Sequence, residues 1–327
     1  MSLDPLSRLI AAAQDGRPLA PTEALLVADL DFGQFLRLLP VTQALREKRF
    51  GNSVRLCSIV NAKSGRCAED CRFCAQSAAW PTGVDEYPLK TPEEILAEAR
   101  QVKPWGAREF SIVTSGKGLK KEAEIEAVCR AILAIRDETR LLTCASLGIV
   151  DERILARLKA AGLNKFHHNL ECAKSYWDRV CTTHPWEEDV AVVKRAKALG
   201  LEVCCGGIFG LGESWAERAE LAETLRDLQV NSVPLNFLNP IPGTPLENVP
   251  RLTPLECLKI IALFRLMLPQ TRLQICGGRH MNLRDFQSWI FAAGADGMMI
   301  GNYLTTKGRP VEEDLKMIAD LGLESEP

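Results

Sequence analysis

Eight short runs rich in valine, isoleucine and leucine, each followed by a longer amphipathic stretch, constrain the fold of this 327-residue chain more than any other feature. Alternation of strands and helices over about 250 residues is typical of a (β/α)8 TIM-type barrel with parallel strands. An open doubly wound sheet fits the same pattern and stays as the alternative fold. The candidate strands are Ser53–Val60, Glu109–Thr114, Arg140–Ser146, Lys165–Glu171, Leu201–Phe209, Asn231–Phe237, Arg272–Gly277 and Asp296–Ile300.

Helix boundaries between these strands are marked in the sequence. Capping boxes begin at Thr91, Ser214 and Thr253, each with a glutamate three residues later. Gly162 and Gly200 follow two other helical stretches, at the position where a left-handed glycine commonly ends a helix. We therefore expect residues 1–50 to form an N-terminal helical extension and residues 51–327 to form the barrel with a C-terminal tail.

Composition excludes several classes of protein. The net charge of −2 and the pI of about 6.2 argue against a basic surface for nucleic acid. Residues 1–15 lack the apolar core of a signal peptide, and no later run is long enough to span a bilayer. Twelve cysteines scattered through such a chain favour a reducing cytoplasm and metal or redox chemistry over disulfides.

Three of these cysteines, Cys67, Cys71 and Cys74, lie in one loop directly after the first candidate strand. Their spacing brings three thiolates close enough to bind three corners of a four-iron cluster. Structural zinc sites use four protein ligands, so a trio favours a catalytic cluster with one open iron. A zinc site and a chance grouping stay as alternatives. The carboxyl ends of barrel strands carry active sites, and this loop is expected there.

Four further cysteines fall on the first, third, fifth and seventh candidate strands. They are Cys57, Cys144, Cys204 and Cys276. Barrel interiors are filled by layers of four side chains from alternate strands, so these thiols predict a second cluster on the barrel axis. The alternative is that each is a small buried hydrophobic residue. Cys205 faces the opposite way from Cys204. Cys129 and Cys257 are expected to pack in helices, and Cys172 and Cys181 have no assigned role.

The C-x3-C-x2-C motif resembles that of the radical S-adenosylmethionine enzymes. Additional motifs resemble those of the biotin synthases, which belong to this group. The resemblance covers the chain from Ser53 to the C-terminus. Its motifs are Ser64-Gly65-Arg66-Cys67 through Cys74-Ala75-Gln76-Ser77, His168-Asn169-Leu170-Glu171, the stretch from Gly206 to Glu213, Asn236 and Gly243-Thr244-Pro245-Leu246.

This resemblance implies that Cys67, Cys71 and Cys74 bind a [4Fe-4S] cluster whose open iron takes S-adenosylmethionine. The other residues implied to contact or support that cofactor are Phe73, Ser115, Gly116, Asn169, Glu171, Ile208, Gly210 and Glu213. Phe73 would lie against adenine, Glu171 would accept bonds from the ribose, and Glu213 would brace the glycine-rich loop. Without the family, Phe73 would be a core aromatic residue and the glycines would serve tight strand packing.

The resemblance also implies the substrate, dethiobiotin, whose ureido ring would bond to the amides of Asn169 and Asn236. Buried asparagines that bond the backbone are the alternative. Commonly studied members hold a two-iron sulfur donor with three cysteines and an arginine, but Ser111 and Gln274 replace two of those ligands. The quartet of strand cysteines resembles a second type of biotin synthase, with an auxiliary four-iron cluster that carries an additional sulfide.

The implied activity is radical insertion of sulfur into dethiobiotin to form biotin, with flavodoxin or ferredoxin as electron donor and a homodimer as the assembly. The alternatives are a hydrogenase-cofactor maturase, a methylornithine-forming mutase, or a cluster protein without chemistry of its own. His184 and Asp189 depart from the common type, which has arginines in this stretch. The cation that binds the S-adenosylmethionine carboxylate is therefore left open among Arg66, Arg179 and Arg195.

Overall fold

Parallel strands close into a barrel in the computed structural model, which describes residues 4–326. Every neighbouring pair of strands is parallel, and the last barrel strand also pairs with the first. The closed sheet confirms the predicted (β/α)8 fold and excludes the open doubly wound sheet. The strands are β1 (Ser53–Lys63), β2 (Glu109–Thr114), β3 (Leu142–Ser146), β4 (Lys165–His167), β5 (Glu202–Cys204), β6 (Gly207–Phe209), β7 (Ser232–Phe237), β8 (Arg272–Ile275), β9 (Gly297–Met299) and the tail strand β10 (Glu324–Ser325).

The fifth strand position is divided, where the sequence had predicted one continuous strand. β5 pairs with β4, whereas β6 pairs with β7 and not with β4. A Cβ on Gly206 would lie 2.1 Å from the Pro234 carbonyl oxygen, and one on Gly207 would lie 2.4 Å from the Glu171 carbonyl oxygen. The two glycines therefore permit a close approach of three backbone segments, and the strand breaks where they meet.

Other strand boundaries differ by a few residues. β1 runs three residues beyond the predicted Val60. Arg140 adopts a left-handed conformation that ends the preceding helix, so β3 begins only at Leu142. β4 ends at His167, four residues before the predicted end at Glu171, which has a φ of 60° and lies outside the strand.

Helices surround the barrel in the expected alternation. The three predicted capping boxes are present at Thr91, Ser214 and Thr253, and Gly162 and Gly200 have positive φ just past their helices. None of the helices within residues 4–326 is long and apolar enough to cross a membrane. The helices after β1 are α4 (Pro92–Val102), α5 (Glu122–Thr139), α6 (Glu152–Ala160), α7 (Trp186–Ala198), α8 (Trp215–Asp227), α9 (Pro254–Met267), α10 (Arg279–Leu283), α11 (Trp289–Ala293) and α12 (Val311–Asp320).

Three helices precede the barrel: α1 (Pro5–Gln14), α2 (Pro21–Ala24) and α3 (Phe32–Phe50). The sequence pattern predicts helices at Thr22–Leu30 and Phe32–Lys48, so it misses α1 and makes the second helix longer than α2. Buried Arg46 of α3 donates to the carbonyl oxygens of Ser53 and Ala295, which precede or begin barrel strands. The N-terminal helices therefore cover the amino ends of the strands and leave the opposite, carboxyl end for the site.

Candidate functional site

A cavity of about 330 Å³ opens at the carboxyl ends of the strands and reaches into the barrel. Most of the residues that the sequence singled out meet there, although they come from distant parts of the chain. The predicted site residues in its lining are Cys57, Phe73, Cys74, Cys144, Asn169, Glu171, Cys204, Ile208, Asn236 and Cys276. Cys67, Cys71, Ser115, Gly116, Gly210 and Glu213 lie outside this lining.

The cysteine trio is held by a tightly folded loop between β1 and α4. The Cys74 amide donates to the Cys71 carbonyl oxygen at 3.0 Å, and the Cys67 amide donates to the Gln76 carbonyl oxygen at 3.0 Å. The indole of Trp80 donates to the Cys71 carbonyl oxygen at 3.1 Å. Each of the three thiols is partly accessible, so the loop presents three sulfur ligands near the mouth of the cavity.

The trio loop is tied to the segment before α7, which sequence reasoning left unassigned. Asp70, between two of the cysteines, accepts from the Thr182 amide at 2.8 Å and also from the Thr182 hydroxyl. The buried carboxylate of Glu69 bonds Nδ1 of His184, and Nε2 of His184 lies 3.2 Å from Asp189 Oδ2. The departures from the common family pattern at His184 and Asp189 therefore form the support of this loop.

His184 is charged because both of its ring nitrogens face carboxylates. Burial alone would lower its pKa, but hydrogen bonds to Asp189, Cys181 and Glu69 outweigh burial and raise the pKa to about 11. His168 Nε2 bonds the other oxygen of Asp189 at 2.8 Å. A buried ion network thus joins the trio loop, the segment after β4 and α7.

Cys181 lies beside the trio, where its thiol contacts that of Cys71. This contact, with further bonds from His184 and Thr183, lowers the pKa of Cys181 to about 5, and the pKa of the Cys71 thiol is raised in turn. Nothing in the spacing of the cysteines along the chain indicated this neighbour, since 110 positions separate residues 71 and 181.

The four strand cysteines surround the deep part of the same cavity. The thiols of Cys57 and Cys276 contact each other, and this contact together with burial raises the pKa of Cys57. Burial raises the pKa of Cys144 to about 12 and also raises that of Cys204. The structure therefore brings the four cysteines together, as expected for one interior layer of side chains from alternate strands.

The two asparagines expected at the substrate are engaged by the protein backbone. Asn169 Oδ1 accepts from the Gly206 amide at 3.1 Å, and its Nδ2 donates to Glu171 Oε2 at 3.2 Å. Asn236 Nδ2 donates to the Gly207 carbonyl oxygen at 3.1 Å, and its Oδ1 accepts from the Gly277 amide at 2.8 Å. Each side chain thus supports the divided strand, and each keeps one N–H without a partner within residues 4–326, which could bond a ligand.

The other expected cofactor contacts lie around this centre. Ser115 Oγ donates to the Gly65 carbonyl oxygen at 2.7 Å, next to the trio loop, and Ser115 and Gly116 line a second, separate cavity. Glu213 accepts from the Gly210 amide at 2.9 Å and from Arg218 Nε at 2.7 Å, which is the bracing contact expected of it.

The candidate cations for a cofactor carboxylate are absent from the described lining of the main cavity, although Arg66 lines the second cavity with Ser115 and Gly116. Arg66 pairs with Glu86 and its side chain is 83% exposed. Neither Arg179 nor Arg195 belongs to the cavity lining within the described part of the chain.

Both sets of thiols fit iron–sulfur clusters by the chemistry of their donors. Three sulfur ligands on one loop suit a cluster with an open iron, and four converging thiols suit a fully ligated one. Two buried polar atoms beside the quartet, Ser111 Oγ and Gln274 Nε2, have no hydrogen-bond partner among residues 4–326. The surroundings of the quartet therefore still offer hydrogen-bond donors to a bound group.

Comparison with known folds agrees with this architecture. A crystal structure of methylornithine synthase (PylB) superimposes with a TM-score of 0.85 at 19% identity, covering 98% of this chain and 97% of that chain. The hydrogenase maturase HydG gives a TM-score of 0.83 at 15% identity, covering 98% of this chain and 75% of that one. At this level of identity the likeness concerns the fold alone.

Sequence comparison is more specific. Residues 62–225 match the profile of the Radical SAM superfamily, and residues 234–324 match that of the Biotin and Thiamin Synthesis associated domain. The chain is 52% identical to the biotin synthase of Trichlorobacter lovleyi over 319 residues, which is 98% of this chain and 96% of the relative. It is 56% identical to that of Geobacter sulfurreducens over 279 residues, 85% of each chain. On these matches, the chain belongs to the biotin synthase family within the radical S-adenosylmethionine superfamily.

Proposed function

We propose that this protein inserts sulfur into dethiobiotin to form biotin, at the expense of S-adenosylmethionine. The observation that carries the proposal is one cavity that is lined by Cys74 of the trio loop and also by all four strand cysteines. Two C–H bonds of the substrate are replaced by two C–S bonds, and each hydrogen atom leaves in one molecule of 5′-deoxyadenosine. Cytoplasmic localisation, a flavodoxin or ferredoxin as electron donor and a homodimeric assembly belong to the same proposal.

Cys67, Cys71 and Cys74 would hold the [4Fe-4S] cluster, and Cys57, Cys144, Cys204 and Cys276 would hold the auxiliary cluster. When bound, these clusters supply the electron that cleaves S-adenosylmethionine and the sulfur that enters the product. The trio leaves one cluster position without a protein ligand, as an open site requires.

The chain's own residues would position the two organic molecules. Phe73, Ile208 and Glu171 line the cavity, and Phe73 belongs to the trio loop itself, so the adenosyl group is expected beside them. The free N–H groups of Asn169 and Asn236 suit the uncharged ureido ring of dethiobiotin. Strand cysteines lie deeper, so the substrate would sit between the two clusters, and the barrel wall would exclude water from the radical chemistry.

The test is an iron and sulfide count on anaerobically reconstituted protein, combined with product analysis of two variants. Cys71→Ala should abolish 5′-deoxyadenosine formation because the open-iron cluster loses a ligand. Cys276→Ser should retain 5′-deoxyadenosine formation but stop biotin production. Cys129→Ser is the matched control, since Cys129 lies in α5 away from the cavity, and it should behave as the wild type.

Two results would contradict this function. The first is a count of only one cluster per chain in the fully reconstituted protein, because no cluster would then be left to donate sulfur. Undiminished biotin formation by Cys276→Ser would show that the quartet is not the donor site.

A further inference from the structure

Three buried polar atoms without a hydrogen-bond partner in the described chain lie beside the cysteine quartet. They are Ser111 Oγ on β2, Ser232 Oγ on β7 and Gln274 Nε2 on β8. Nearly all buried polar groups in folded proteins have a partner, so each exception calls for an explanation. Three exceptions around one site indicate a common cause.

Each of the three residues lies next to a different cysteine of the quartet. Ser111 is opposite Cys144 in the register of β2 and β3, and its hydroxyl lies against that thiol. Ser232 is opposite Cys204 in the register of β5 and β7, and its hydroxyl lies against the Cys204 thiol. Both contacts fall short of hydrogen-bond geometry with the thiol itself.

Gln274 stands two residues before Cys276. Strand residues two apart face the same side, so both point into the barrel, and both line the cavity. Gln274 is only 2% exposed. Its amide nitrogen is therefore held in the cavity wall with no acceptor of its own.

The charge of the nearby cation is neutralised by a carboxylate. Lys165 faces the quartet from β4, but its Nζ donates to Glu109 Oε1 at 2.6 Å. Glu109 also accepts from Arg55 Nη1 at 2.8 Å. Ser111, Ser232 and Gln274 are by contrast neutral groups, and their polar atoms have no partner within residues 4–326.

We propose that Ser111, Ser232 and Gln274 are positioning residues that donate hydrogen bonds to the sulfur atoms of the auxiliary cluster. The inference rests on the proposed function, because it requires a cluster on the quartet. Hydrogen bonds to cluster sulfurs withdraw negative charge and stabilise the reduced form. They therefore raise the reduction potential of the auxiliary cluster and hold it in one orientation toward the substrate.

The test is a redox titration of the holoenzyme with both clusters in place, followed by electron paramagnetic resonance and Mössbauer spectroscopy. Gln274→Leu keeps the volume but removes the donor. We expect it to shift the reduction equilibrium of the auxiliary cluster toward the oxidised form by about tenfold, which is ~59 mV for one electron. The cluster on the cysteine trio serves as the internal control and should keep its potential.

Serine variants extend the test, and they keep the proposal testable if Gln274→Leu does not fold. Ser111→Ala and Ser232→Ala should shift the potential of the auxiliary cluster in the same direction. Ser111→Thr should keep the wild-type potential because the hydroxyl is retained. Ser58→Ala is the matched control, since Ser58 is equally buried on β1 but lies next to Cys57 on the opposite face of the strand.

The outcomes separate the two proposals. A wild-type protein without a second cluster overturns the proposed function. A second cluster whose potential and Mössbauer parameters are the same in the wild type, Gln274→Leu, Ser111→Ala and Ser232→Ala overturns only the donor role of these residues.

Discussion

At the scale of the residue, Glu171 shows how the barrel changes the chemistry of a side chain. Burial raises its pKa from an ordinary 4.5 to about 8, although the bond from Asn169 opposes this shift. The folded-state pKa lies above the unfolded value, so the resulting stabilisation is complete below pH 4.5. It is lost as the pH rises through about 8. A carboxyl group near this pKa changes its hydrogen-bonding capacity within the physiological range.

This predicts a pH dependence of cofactor binding. In the proposed cofactor site, an ionised Glu171 would accept bonds from both ribose hydroxyls, whereas the protonated form has less accepting capacity. Affinity for S-adenosylmethionine should therefore rise as the pH increases through about 8. Glu171→Gln should bind about tenfold more weakly at pH 9, as expected for a lost charged hydrogen bond, and without this pH dependence. Equilibrium dialysis of S-adenosylmethionine with the holoenzyme between pH 6 and pH 9 tests this prediction. The prediction is contradicted if the affinity of Glu171→Gln depends on pH in the same way as that of the wild type.

At the scale of the element, the segment from β4 to α7 determines how the trio loop is held. Its short 3₁₀ helix, Lys174–Arg179, leads to the threonines and histidine that bond Glu69 and Asp70. Two elements that are distant in sequence are thus joined by charged hydrogen bonds, and the bond between Glu69 and His184 is buried, where such bonds are strong. Loss of one member leaves buried carboxylates without a cation.

His184→Phe should therefore destabilise the folded protein by ~3–5 kcal/mol, the usual cost of breaking a buried ion pair. The folded-state pKa of His184 is raised to about 11, so its contribution is complete below about pH 6.5 and is lost as the pH rises toward 11. Urea unfolding at pH 6 and at pH 10 measures both effects. His280→Phe, a substitution of the exposed histidine on α10, is the control and should change stability by less than about 0.5 kcal/mol. Equal effects of the two substitutions would contradict the role of the network.

At the scale of the whole molecule, the two ends of the barrel have separate tasks. The carboxyl ends carry the cavity, while the amino ends are closed by a charge network under the N-terminal helices. Arg265 of α9 and Asp296, both fully buried, form an ion pair at 2.8 Å, and Arg272 joins Asp296 at 3.1 Å. Asp296 also accepts from the Leu273 amide at 2.7 Å, so one carboxylate links α9, β8 and the turn before β9.

Asp296→Asn should destabilise the protein by ~3–5 kcal/mol because two guanidinium groups lose their anion. The affinity for S-adenosylmethionine should stay the same, since the site lies at the opposite end of the barrel. Asp320→Asn, which breaks the exposed pair with Lys316, should cost less than about 1 kcal/mol and is the control. Thermal unfolding and cofactor titration of the same samples test the separation, and a weakened cofactor site in a folded Asp296→Asn protein would contradict it.

Local rules were enough to predict much of this protein. Capping residues gave the starts of α4, α8 and α9, and apolar alternation gave the strands, because both depend on neighbours within a few positions. The layering of side chains from alternate barrel strands placed Cys57 and its three partners in one interior layer, and the structure brings them together around one cavity. Family motifs indicated biotin synthase, which the comparisons confirmed, while the ligand roles of the cysteines stay predictions.

Sequence alone thus determined the strand–helix order, the barrel and the family, since these follow from periodic patterns and short motifs along the chain. Only the tertiary structure decided the break between β5 and β6, the backbone partners of Asn169 and Asn236, and the support of the trio loop by His184. These features depend on which backbone groups approach each other between segments far apart in sequence. Such contacts arise from the three-dimensional packing of the closed barrel, and no local pattern of residues encodes them.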